Sequence, residues 1–379
     1  MSQSQKEGTH MKIKAAVLRE FGKLLSIEEL ELAPPRANEV LIKYLYTGFC
    51  HTDLHQMLGE LHIPLPMVVG HETAGVVEAV GPGVKGIKKG DHVVSDFIVS
   101  CGKCPECLKG MGNLCSGYLD AFVRGTMLDG TSRLMDKNGK MVRHGLYVSG
   151  FATHGVMPEE GVIPIRKDMP LDQACLMACC VPTGWGTVTN IANVQPGDST
   201  VVYGVGGVGL NILRAAAMRQ ANPLIAVDLE GAREKIAREF GATHFINNSK
   251  EDPVPRIKEI VGKGADVVFE SIGDPGAIIQ AYWSTGKLGK LVITGVTPQD
   301  ETTNLPLFRL PVHQLTIMGG LYGDISTHTD IPKFIELAMK GDLKLDKLVT
   351  KTFNLEEVND VAEAMIKRQI NGRWVCKFD

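Results

Sequence analysis

Residues 199–209 read Ser-Thr-Val-Val-Tyr-Gly-Val-Gly-Gly-Val-Gly and carry the clearest fold signal in the chain. The first half, Ser199–Tyr203, is an apolar run typical of a buried strand, and the glycines after it lead into a helical pattern over 207–219. Glycines permit a tight turn, and the backbone N–H groups at the start of such a helix attract a pyrophosphate. The stretch therefore predicts a dinucleotide-binding βαβ unit.

The next predicted strand, Leu224–Asp228, ends in a carboxylate 19 residues after Gly209. A carboxylate at this spacing can accept hydrogen bonds from the hydroxyls of an adenosine ribose. It would also repel a 2′-phosphate, so we expect NAD rather than NADP as the cofactor.

Strands and helices continue to alternate after this unit. A helical pattern covers 232–240, and apolar runs at 266–270, 290–294 and 315–318 predict three more strands. Such alternation favours right-handed βαβ units in a parallel sheet. We predict an α/β protein whose doubly wound Rossmann sheet spans 182–321.

The segments on either side differ in rhythm. Residues 11–180 contain short apolar runs separated by Gly, Pro and Asp turns, which indicates an irregular, mainly β structure. Two amphipathic helices, over 330–340 and 355–367, and a terminal strand over 373–378 follow the sheet. We therefore expect the Rossmann domain to be inserted in a mainly β catalytic domain formed by 1–181 and 322–379.

Composition excludes several classes of protein. With 379 residues, 44% of them hydrophobic and 22% charged, the chain can bury large cores and is not disordered. A net charge of −3 is not that of a dedicated nucleic-acid-binding protein. No apolar run approaches the roughly 18 residues of a membrane span, and the N-terminus lacks a signal-peptide core. We expect a cytoplasmic protein whose partner is a small molecule, not nucleic acid or a membrane.

Four of the nine cysteines fall within 15 residues: Cys101, Cys104, Cys107 and Cys115. In a cytosolic chain such clustering favours metal binding over disulfides. Four thiolates match the closed tetrahedral site of a structural zinc, which leaves no position for substrate. We expect this cysteine knuckle to stiffen its loop.

A second set of metal-ligating residue types is dispersed along the chain. Cys50-His-Thr-Asp-Leu-His55 and Gly70-His71-Glu72 lie about 20 residues apart, and Cys179 lies far downstream. Two thiolates and one imidazole fill three positions of a zinc and leave the fourth for water or substrate. An open zinc of this kind can activate an alcohol for hydride transfer to a nicotinamide.

These motifs together resemble the zinc-dependent medium-chain alcohol dehydrogenases. The resemblance rests on 70–75 (Gly-His-Glu-Thr-Ala-Gly), on Cys179 before 182–186 (Pro-Thr-Gly-Trp-Gly), on the cysteine knuckle and on the glycine loop. Residues 124–133 are similar to a catalytic-domain segment of the liver-type class, and the resemblance covers essentially 11–379. It implies a GroES-like catalytic domain, NAD, two Zn²⁺ per subunit, and a homodimer or homotetramer.

The resemblance also implies roles for individual residues. Cys50, His71 and Cys179 would hold the catalytic zinc, with Glu72 close behind it, and Asp53 would fix the tautomer of His71. Thr52 would take the proton of the alcohol and pass it through a cofactor ribose hydroxyl to His55.

Cofactor contacts are implied in the same way, for the residues His51, Thr183, Gly204, Gly206, Gly207, Val208, Gly209, Asp228, Arg233, Val296 and Arg373. Arg373 and His51 would contact the pyrophosphate. The liver enzymes have arginine where this chain has His51, whereas histidine occurs in the yeast type. Because histidine is partly neutral at pH 7, we expect weaker cofactor binding and faster release.

The substrate pocket implied by the family is lined by Phe97, Leu119, Phe151 and Leu321, together with Val296. All five are apolar, so a hydrophobic primary alcohol or its aldehyde fits. The physiological alcohol and the preferred direction stay open.

Three alternatives stay open beside this interpretation. A glutathione-dependent formaldehyde dehydrogenase shares the zinc sites, but its substrate carries carboxylates, and the candidate positions Leu61, Ile63 and Leu119 offer no cation. An enzyme with a permanently bound nicotinamide and an external electron acceptor is also compatible. A protein without turnover could dispense with catalytic ligands, yet they are intact here.

Two adjacent cysteines compete for the catalytic zinc. Neighbouring residues of an extended segment point to opposite faces, so we expect only one of Cys179 and Cys180 to reach the metal. The family places its ligand three residues before Pro182, which assigns Cys179. Cys180 stands where the family usually has glycine.

Overall fold

The computed structural model describes residues 10–379, which form two compact units. The first unit comprises residues 10–178 together with 351–363 and 374–379. The second comprises 179–350 and 364–373. Residues 1–9, which belong to the predicted catalytic segment 1–181, lie outside the described residues.

The division of the described structure differs from the predicted domain bounds at three places. The sequence prediction groups residues 179–181, 322–350 and 364–373 with the catalytic segments, but they fall in the second unit. The assignment of catalytic and nucleotide-binding roles to the segments stays a prediction.

The first unit consists mainly of strands. They are β1 (Met11–Leu18), β2 (Ser26–Leu32), β3 (Glu39–Gly48), β4 (Met67–Val68), β5 (Glu72–Val80), β6 (His92–Ser95), β7 (Leu134–Met135), β8 (Met141–His144), β9 (His154–Pro158) and β10 (Val162–Ile165). Its short helices are α1 (His51–Leu58), α2 (Pro105–Leu108), α3 (Leu119–Arg124) and α4 (Leu171–Ala174).

The second unit alternates strands and helices. Its strands are β11 (Thr200–Tyr203), β12 (Leu224–Asp228), β13 (His244–Asn247), β14 (Ala265–Glu270), β15 (Thr285–Ile293) and β16 (Thr316–Gly319). Its helices are α5 (Cys180–Gly186), α6 (Gly207–Met218), α7 (Glu234–Glu239), α8 (Pro253–Val261), α9 (Pro275–Ser284), α10 (Arg309–His313), α11 (Thr327–Met339) and α12 (Leu345–Leu348). The C-terminal elements are β17 (Val349–Phe353), α13 (Val358–Ile366) and β18 (Arg373–Lys377).

The sheet of the second unit confirms the predicted Rossmann fold. Its strands are all parallel, in the order β13-β12-β11-β14-β15-β16. This is the doubly wound order, in which the strand that precedes the glycine loop lies in the middle of the sheet. Strand β13 has the sequence His-Phe-Ile-Asn, whose two polar ends hide it from a search for apolar runs.

The first unit confirms the predicted mainly β architecture. Strands β1-β2-β7-β8-β4 form a closed barrel around a core that includes Ile13, Leu30 and Val142. A second sheet has the order β10-β6-β5-β3-β18-β17, and β9 also pairs with β3. Strand β18 runs antiparallel to β3, with Val375 opposite Gly48, so the end of the chain belongs to this sheet.

Within residues 10–379, none of the helices combines the length and the apolar character needed to cross a bilayer.

Candidate active site

The glycine loop has the predicted strand–turn–helix geometry. Strand β11 ends at Tyr203, and α6 begins at Gly207. A Cβ atom on Gly209 would lie 1.9 Å from the carbonyl oxygen of Gly204, so this close packing of helix against strand requires glycine. The first N–H groups of α6 are thereby presented at the end of the sheet, where a pyrophosphate binds in this fold.

Asp228 is tied to this loop by its own hydrogen bonds. Its Oδ2 accepts from the backbone N–H of Val205 at 2.8 Å, and its Oδ1 accepts from the N–H of Glu230 at 2.9 Å. The guanidinium of Arg233 pairs with the same carboxylate, at 3.0 Å from Oδ2. The structure therefore holds a carboxylate and a cation side by side at the end of β12.

Arg373 also lies against the glycine loop. A Cβ atom on Gly207 would fall 2.9 Å from the guanidinium carbon of Arg373, and Gly206 and Gly372 form a β-bridge. Arg233 also donates to the carbonyl of Ile370 at 3.0 Å. The structure thus groups the glycine loop, the carboxylate and the two arginines within the second unit.

The remaining residues predicted to contact the cofactor are placed as follows. Val208 lies in the first turn of α6, Thr183 is buried in α5, and Val296 follows β15 and is partly exposed. His51 belongs to the first unit, where it is the exposed first residue of α1. Their contacts with a cofactor stay predictions.

The start of α1 organises the second predicted metal site. Cys50 is the N-cap residue, and its N–H donates to Oδ2 of Asp53 at 2.9 Å. Asp53 is fully buried, and its Oδ1 accepts from Nδ1 of His71 at 3.0 Å. The hydroxyl oxygen of Thr52 lies 3.8 Å from the sulfur of Cys50. One helix end therefore positions a thiol, a hydroxyl and the carboxylate that orients His71.

The ligand atoms of Cys50, His71, Glu72 and Cys179 all lie within 4.8 Å of one another. Glu72 begins β5 and His71 immediately precedes it, whereas Cys179 directly follows the buried 3₁₀ turn Cys175–Ala178. The structure thus brings together the three predicted ligands and the carboxylate predicted behind them. All four side chains are buried.

The electrostatics of this cluster favour a cation. Burial opposes a charged imidazole, but the carboxylate of Asp53 and the thiol of Cys50 raise the pKa of His71 well above its usual value. A divalent metal would place positive charge at the same point. Because Nδ1 of His71 is hydrogen-bonded to Asp53, Nε2 is the nitrogen that can bind the metal. The donor set of two sulfurs and one nitrogen suits zinc.

The predicted pocket residues differ in their surroundings. Phe97 packs edge-on against the ring of His71, with centroids 5.1 Å apart. Phe151 is fully buried and contacts the ring of Phe49 in a tilted arrangement, with centroids 5.6 Å apart. Leu119 and Leu321 are about half exposed. Contact of these residues with substrate stays a prediction.

The expectation that Cys179 and Cys180 lie in an extended segment is wrong. Cys180 is the first residue of α5, and Cys179 caps this helix with φ −149° and ψ −75°. The two thiols diverge because the chain changes from a 3₁₀ turn to an α-helix between them, not because of a strand's alternation. Cys180 is fully buried and is not among the clustered ligand atoms.

The cysteine knuckle is assembled as the spacing predicts. The sulfur atoms of Cys101, Cys104, Cys107 and Cys115 lie within 4.8 Å of one another. Backbone N–H groups turn toward the cluster: that of Cys101 donates to the sulfur of Cys115, and that of Cys104 to the sulfur of Cys101, both at 3.3 Å.

The pKa values of two thiols in this cluster are shifted in opposite directions. Hydrogen bonding from the backbone of Cys107 lowers the pKa of Cys104 to about 6. Burial and the sulfurs of Cys104 and Cys115 raise the pKa of Cys107 to about 12, because several thiolates so close together repel one another. A divalent cation among four sulfurs removes this repulsion, so the residues present fit a structural zinc.

We expect Cys104→Ser to lower the zinc content by one equivalent per chain and the melting temperature by on the order of 5 to 10 °C, because a structural zinc contributes several kcal/mol to folding. Hydride chemistry should stay qualitatively intact. The measurements are metal analysis and thermal unfolding. Cys376→Ser, which changes a buried thiol outside both clusters, is the control that should lose stability without losing zinc. Full zinc content with unchanged melting would contradict a metal site in the knuckle.

One contact near the predicted proton relay was not apparent in the sequence. The carboxylate of Glu60 accepts a hydrogen bond from Nδ1 of His55. The sequence feature that could have indicated this contact is Gly59. It ends α1 in the left-handed conformation and turns the chain back toward the helix.

Comparison with known proteins places this geometry in context. Residues 36–167 match the family model of the alcohol dehydrogenase GroES-like domain, and residues 207–340 match that of the zinc-binding dehydrogenases. The two matches cover the mainly β region and most of the Rossmann region, respectively.

Relatives match over nearly the whole chain. An NDMA-dependent alcohol dehydrogenase from Amycolatopsis methanolica is 39% identical over 92% of this chain and 95% of its own. An S-(hydroxymethyl)glutathione dehydrogenase from Escherichia coli is 38% identical over 94% of this chain and 97% of its own. The crystal structure of benzyl alcohol dehydrogenase from Acinetobacter calcoaceticus superposes with a TM-score of 0.91, at 33% identity, over 97% of this chain and all of that one.

Proposed function

This chain belongs to the zinc-dependent medium-chain alcohol dehydrogenase family, and we propose that it oxidises alcohols to aldehydes or ketones, and reduces these products, with NAD(H) as the hydride carrier. The observation that carries the proposal is the cluster of two thiols, one imidazole and one carboxylate formed by Cys50, His71, Cys179 and Glu72. A cluster with three good zinc ligands leaves a position for substrate, as a catalytic zinc requires.

We propose two zinc ions per chain. The catalytic ion would be held by Cys50, His71 and Cys179, and the structural ion by the cysteine knuckle. Bound at the open site, zinc polarises the oxygen of the alcohol or aldehyde. The chain's own contribution is to orient the ligands: the buried carboxylate of Asp53 fixes the ring of His71, and the N-cap position fixes the thiol of Cys50.

The cofactor site would be formed by the glycine loop with Asp228, Arg233 and Arg373. The N–H groups at the start of α6 and the guanidinium of Arg373 suit a pyrophosphate. The carboxylate of Asp228 suits the ribose hydroxyls and disfavours a 2′-phosphate. We assign NAD on this basis.

Proton release would begin at Thr52 and end at His55. Alcohol oxidation releases one proton, and the hydroxyl of Thr52 would receive it; the support is that this hydroxyl lies close to the sulfur of Cys50. His55 is buried in the same helix, four residues away from the exposed His51, and would carry the proton toward solvent.

The experiment that tests this proposal is a panel of primary alcohols, led by benzyl alcohol, assayed with NAD at 340 nm and paired with zinc analysis. We expect turnover with free NAD and two zinc ions per chain. Turnover with an artificial electron acceptor alone, without exchange of added NAD, would instead assign a tightly bound nicotinamide. Absence of turnover from a protein loaded with both zinc ions and NAD would contradict the proposed function.

The glutathione-adduct substrate is the second candidate, because a specific cleft favours it. In the first unit, Ile63 lines a cleft of about 660 Å³ together with His62, Arg124 and Arg143. Ile63 is itself apolar, but the cleft that it lines contains the guanidinium groups of Arg124 and Arg143. The carboxylates of a glutathione adduct could pair with these cations. Formaldehyde with glutathione belongs in the same assay panel, and a higher kcat/KM for it than for benzyl alcohol would make it the substrate.

We propose that the protein forms a homodimer through the edge of its parallel sheet, with a tetramer as the larger alternative. Strand β16 is an edge strand of the parallel sheet, and exposed edges invite pairing with another chain. Leu288, Leu307 and Phe308 in the same unit are strongly exposed, and exposed apolar side chains in such number mark an interaction surface. A second copy of the chain is the occupant we assign.

Light scattering should accordingly give at least twice the 41.1 kDa mass of one chain. Phe308→Asp should lower that mass toward one chain, because it buries an unpaired charge in the interface. Leu24→Asp, an equally exposed position in the first unit, is the matched control and should leave the mass unchanged. A monomeric parent protein would contradict the assignment.

We also place the enzyme in the cytoplasm. The support is chemical: seven cysteines are assigned as thiolate ligands or lie beside them, and such ligands require the reduced state that this compartment maintains.

A further inference from the structure

The end of helix α1 brings an acidic side chain back onto its own last turn. Gly59 has φ +79°, and its N–H donates to the carbonyl of Gln56 at 3.2 Å. The N–H of Glu60 donates to the carbonyl of His55 at 3.0 Å. This reversal is a helix C-cap, and it places the carboxylate of Glu60 against Nδ1 of His55.

The two partners differ in exposure. The side chain of His55 is 8% exposed and that of Glu60 is 34% exposed. The pair therefore runs from a buried imidazole to a carboxylate that water can reach. Because Nδ1 is committed to Glu60, the other ring nitrogen of His55, Nε2, is the one that can accept a proton from within the protein.

A second titratable group faces this imidazole. The ring of His51, on the same helix, lies edge-on to that of His55 with centroids 4.7 Å apart. Of the two neighbours, the carboxylate of Glu60 is the one that can take a proton from Nδ1 of His55.

We propose that Glu60 is a positioning residue of the proton relay. Its carboxylate holds His55 in the Nδ1–H tautomer and receives the relayed proton for release to solvent. The inference rests on the proposed function, since it gives His55 the relay role. The step balances with alcohol oxidation: one proton enters at Nε2, the Nδ1 proton moves to the carboxylate, and water takes it. The nicotinamide takes the hydride, so no further oxidant is needed.

A purely structural role is the competing explanation, because a histidine near a helix C-terminus with an acidic neighbour also stabilises a helix end. The two explanations predict different effects of replacing Glu60. If Glu60 is a relay partner, its replacement changes catalysis through His55 alone. If it only forms a structural ion pair, its replacement changes stability and leaves the pH dependence of catalysis unchanged.

The test compares Glu60→Gln, Glu60→Ala and His55→Gln with the parent holoenzyme. The first variant keeps a hydrogen-bond acceptor at this position but loses the charge, and the second loses both. We expect the pH profile of hydrogen exchange at the ring of His55 to change its midpoint in Glu60→Gln, because the variant lacks the charge beside Nδ1. Hydrogen–deuterium exchange at the imidazole C2, followed by mass spectrometry, measures this midpoint for each histidine without turnover. Glu20→Gln, an exposed carboxylate on the same unit, is the control.

Kinetics supply the second readout. We expect kcat for alcohol oxidation to fall roughly three- to tenfold in Glu60→Gln and further in Glu60→Ala. In a His55→Gln background, Glu60→Gln should have no additional effect, since the residue acts through the imidazole. An unchanged His55 midpoint, or losses that multiply in the double variant, would overturn the proposal. If the parent shows no NAD-dependent turnover, the proposed function fails separately, and the exchange midpoint still decides whether Glu60 governs His55.

Discussion

Replacement of Cys179 by alanine is expected to remove the catalytic zinc and nearly all alcohol oxidation. The sulfur of Cys179 is one of the ligand atoms clustered within 4.8 Å, and alanine leaves Cys50 and His71 as the only good zinc ligands there. Metal-ion catalysis is worth several kcal/mol, so the rate should fall about a thousandfold or more. The measurements are kcat with benzyl alcohol and the zinc content, which should drop by one equivalent per chain.

Cys180→Ala is the matched control for this variant. Cys180 is the adjacent thiol, fully buried, but it lies in the first turn of α5 and outside the ligand cluster. Alanine keeps the helix, whereas the family's glycine at this position would cost up to about 1 kcal/mol in helix propensity. Zinc content and kcat should therefore stay near those of the parent. Loss of zinc from Cys180→Ala with retention in Cys179→Ala would shift the ligand by one residue.

The contrast between these two cysteines shows what sequence patterns can and cannot predict. The position of Cys179 relative to Pro182 identifies the clustered thiol, because the motif carries the register. The pattern did not predict the local conformation. Alternation in an extended segment was expected to separate the two thiols, but the structure separates them by a change from a 3₁₀ turn to an α-helix. Short apolar runs fit both geometries equally well, so periodicity could not separate them.

The centre of the parallel sheet was predictable because β11 and β12 are mainly apolar and buried along their whole length. Strand β12 was predicted with its observed bounds, and β11 within one residue. Strand β13 was not found, since its ends carry His244 and Asn247. Long-range contacts were also beyond sequence reasoning: the hydrogen bond from Arg233 to the carbonyl of Ile370 joins residues 137 positions apart, and no local pattern encodes such a pairing.

That pairing bears on cofactor choice, for which the second large effect is expected. Asp228→Gly should narrow the preference for NAD over NADP by roughly two to three orders of magnitude. Hydrogen bonds to a carboxylate contribute about 1.5–3 kcal/mol, so its loss should reduce kcat/KM for NAD about tenfold to a hundredfold. Removal of the negative charge should raise kcat/KM for NADP at the same time, because the repulsion of the 2′-phosphate disappears.

Arg233 determines how much kcat/KM for NADP rises in Asp228→Gly. Its guanidinium lies 3.0 Å from the carboxylate oxygen of Asp228, so in Asp228→Gly it becomes available to the 2′-phosphate, while its bond to Ile370 keeps it in place. The double variant Asp228→Gly/Arg233→Ala should therefore lose the increase in kcat/KM for NADP. Its kcat/KM for NAD should stay as low as in Asp228→Gly. Initial rates at 340 nm with both cofactors, at fixed alcohol concentration, measure these ratios. Equal use of NAD and NADP by the parent enzyme would contradict the assignment of Asp228 to the ribose, since an intact carboxylate at that position cannot accept a 2′-phosphate without cost.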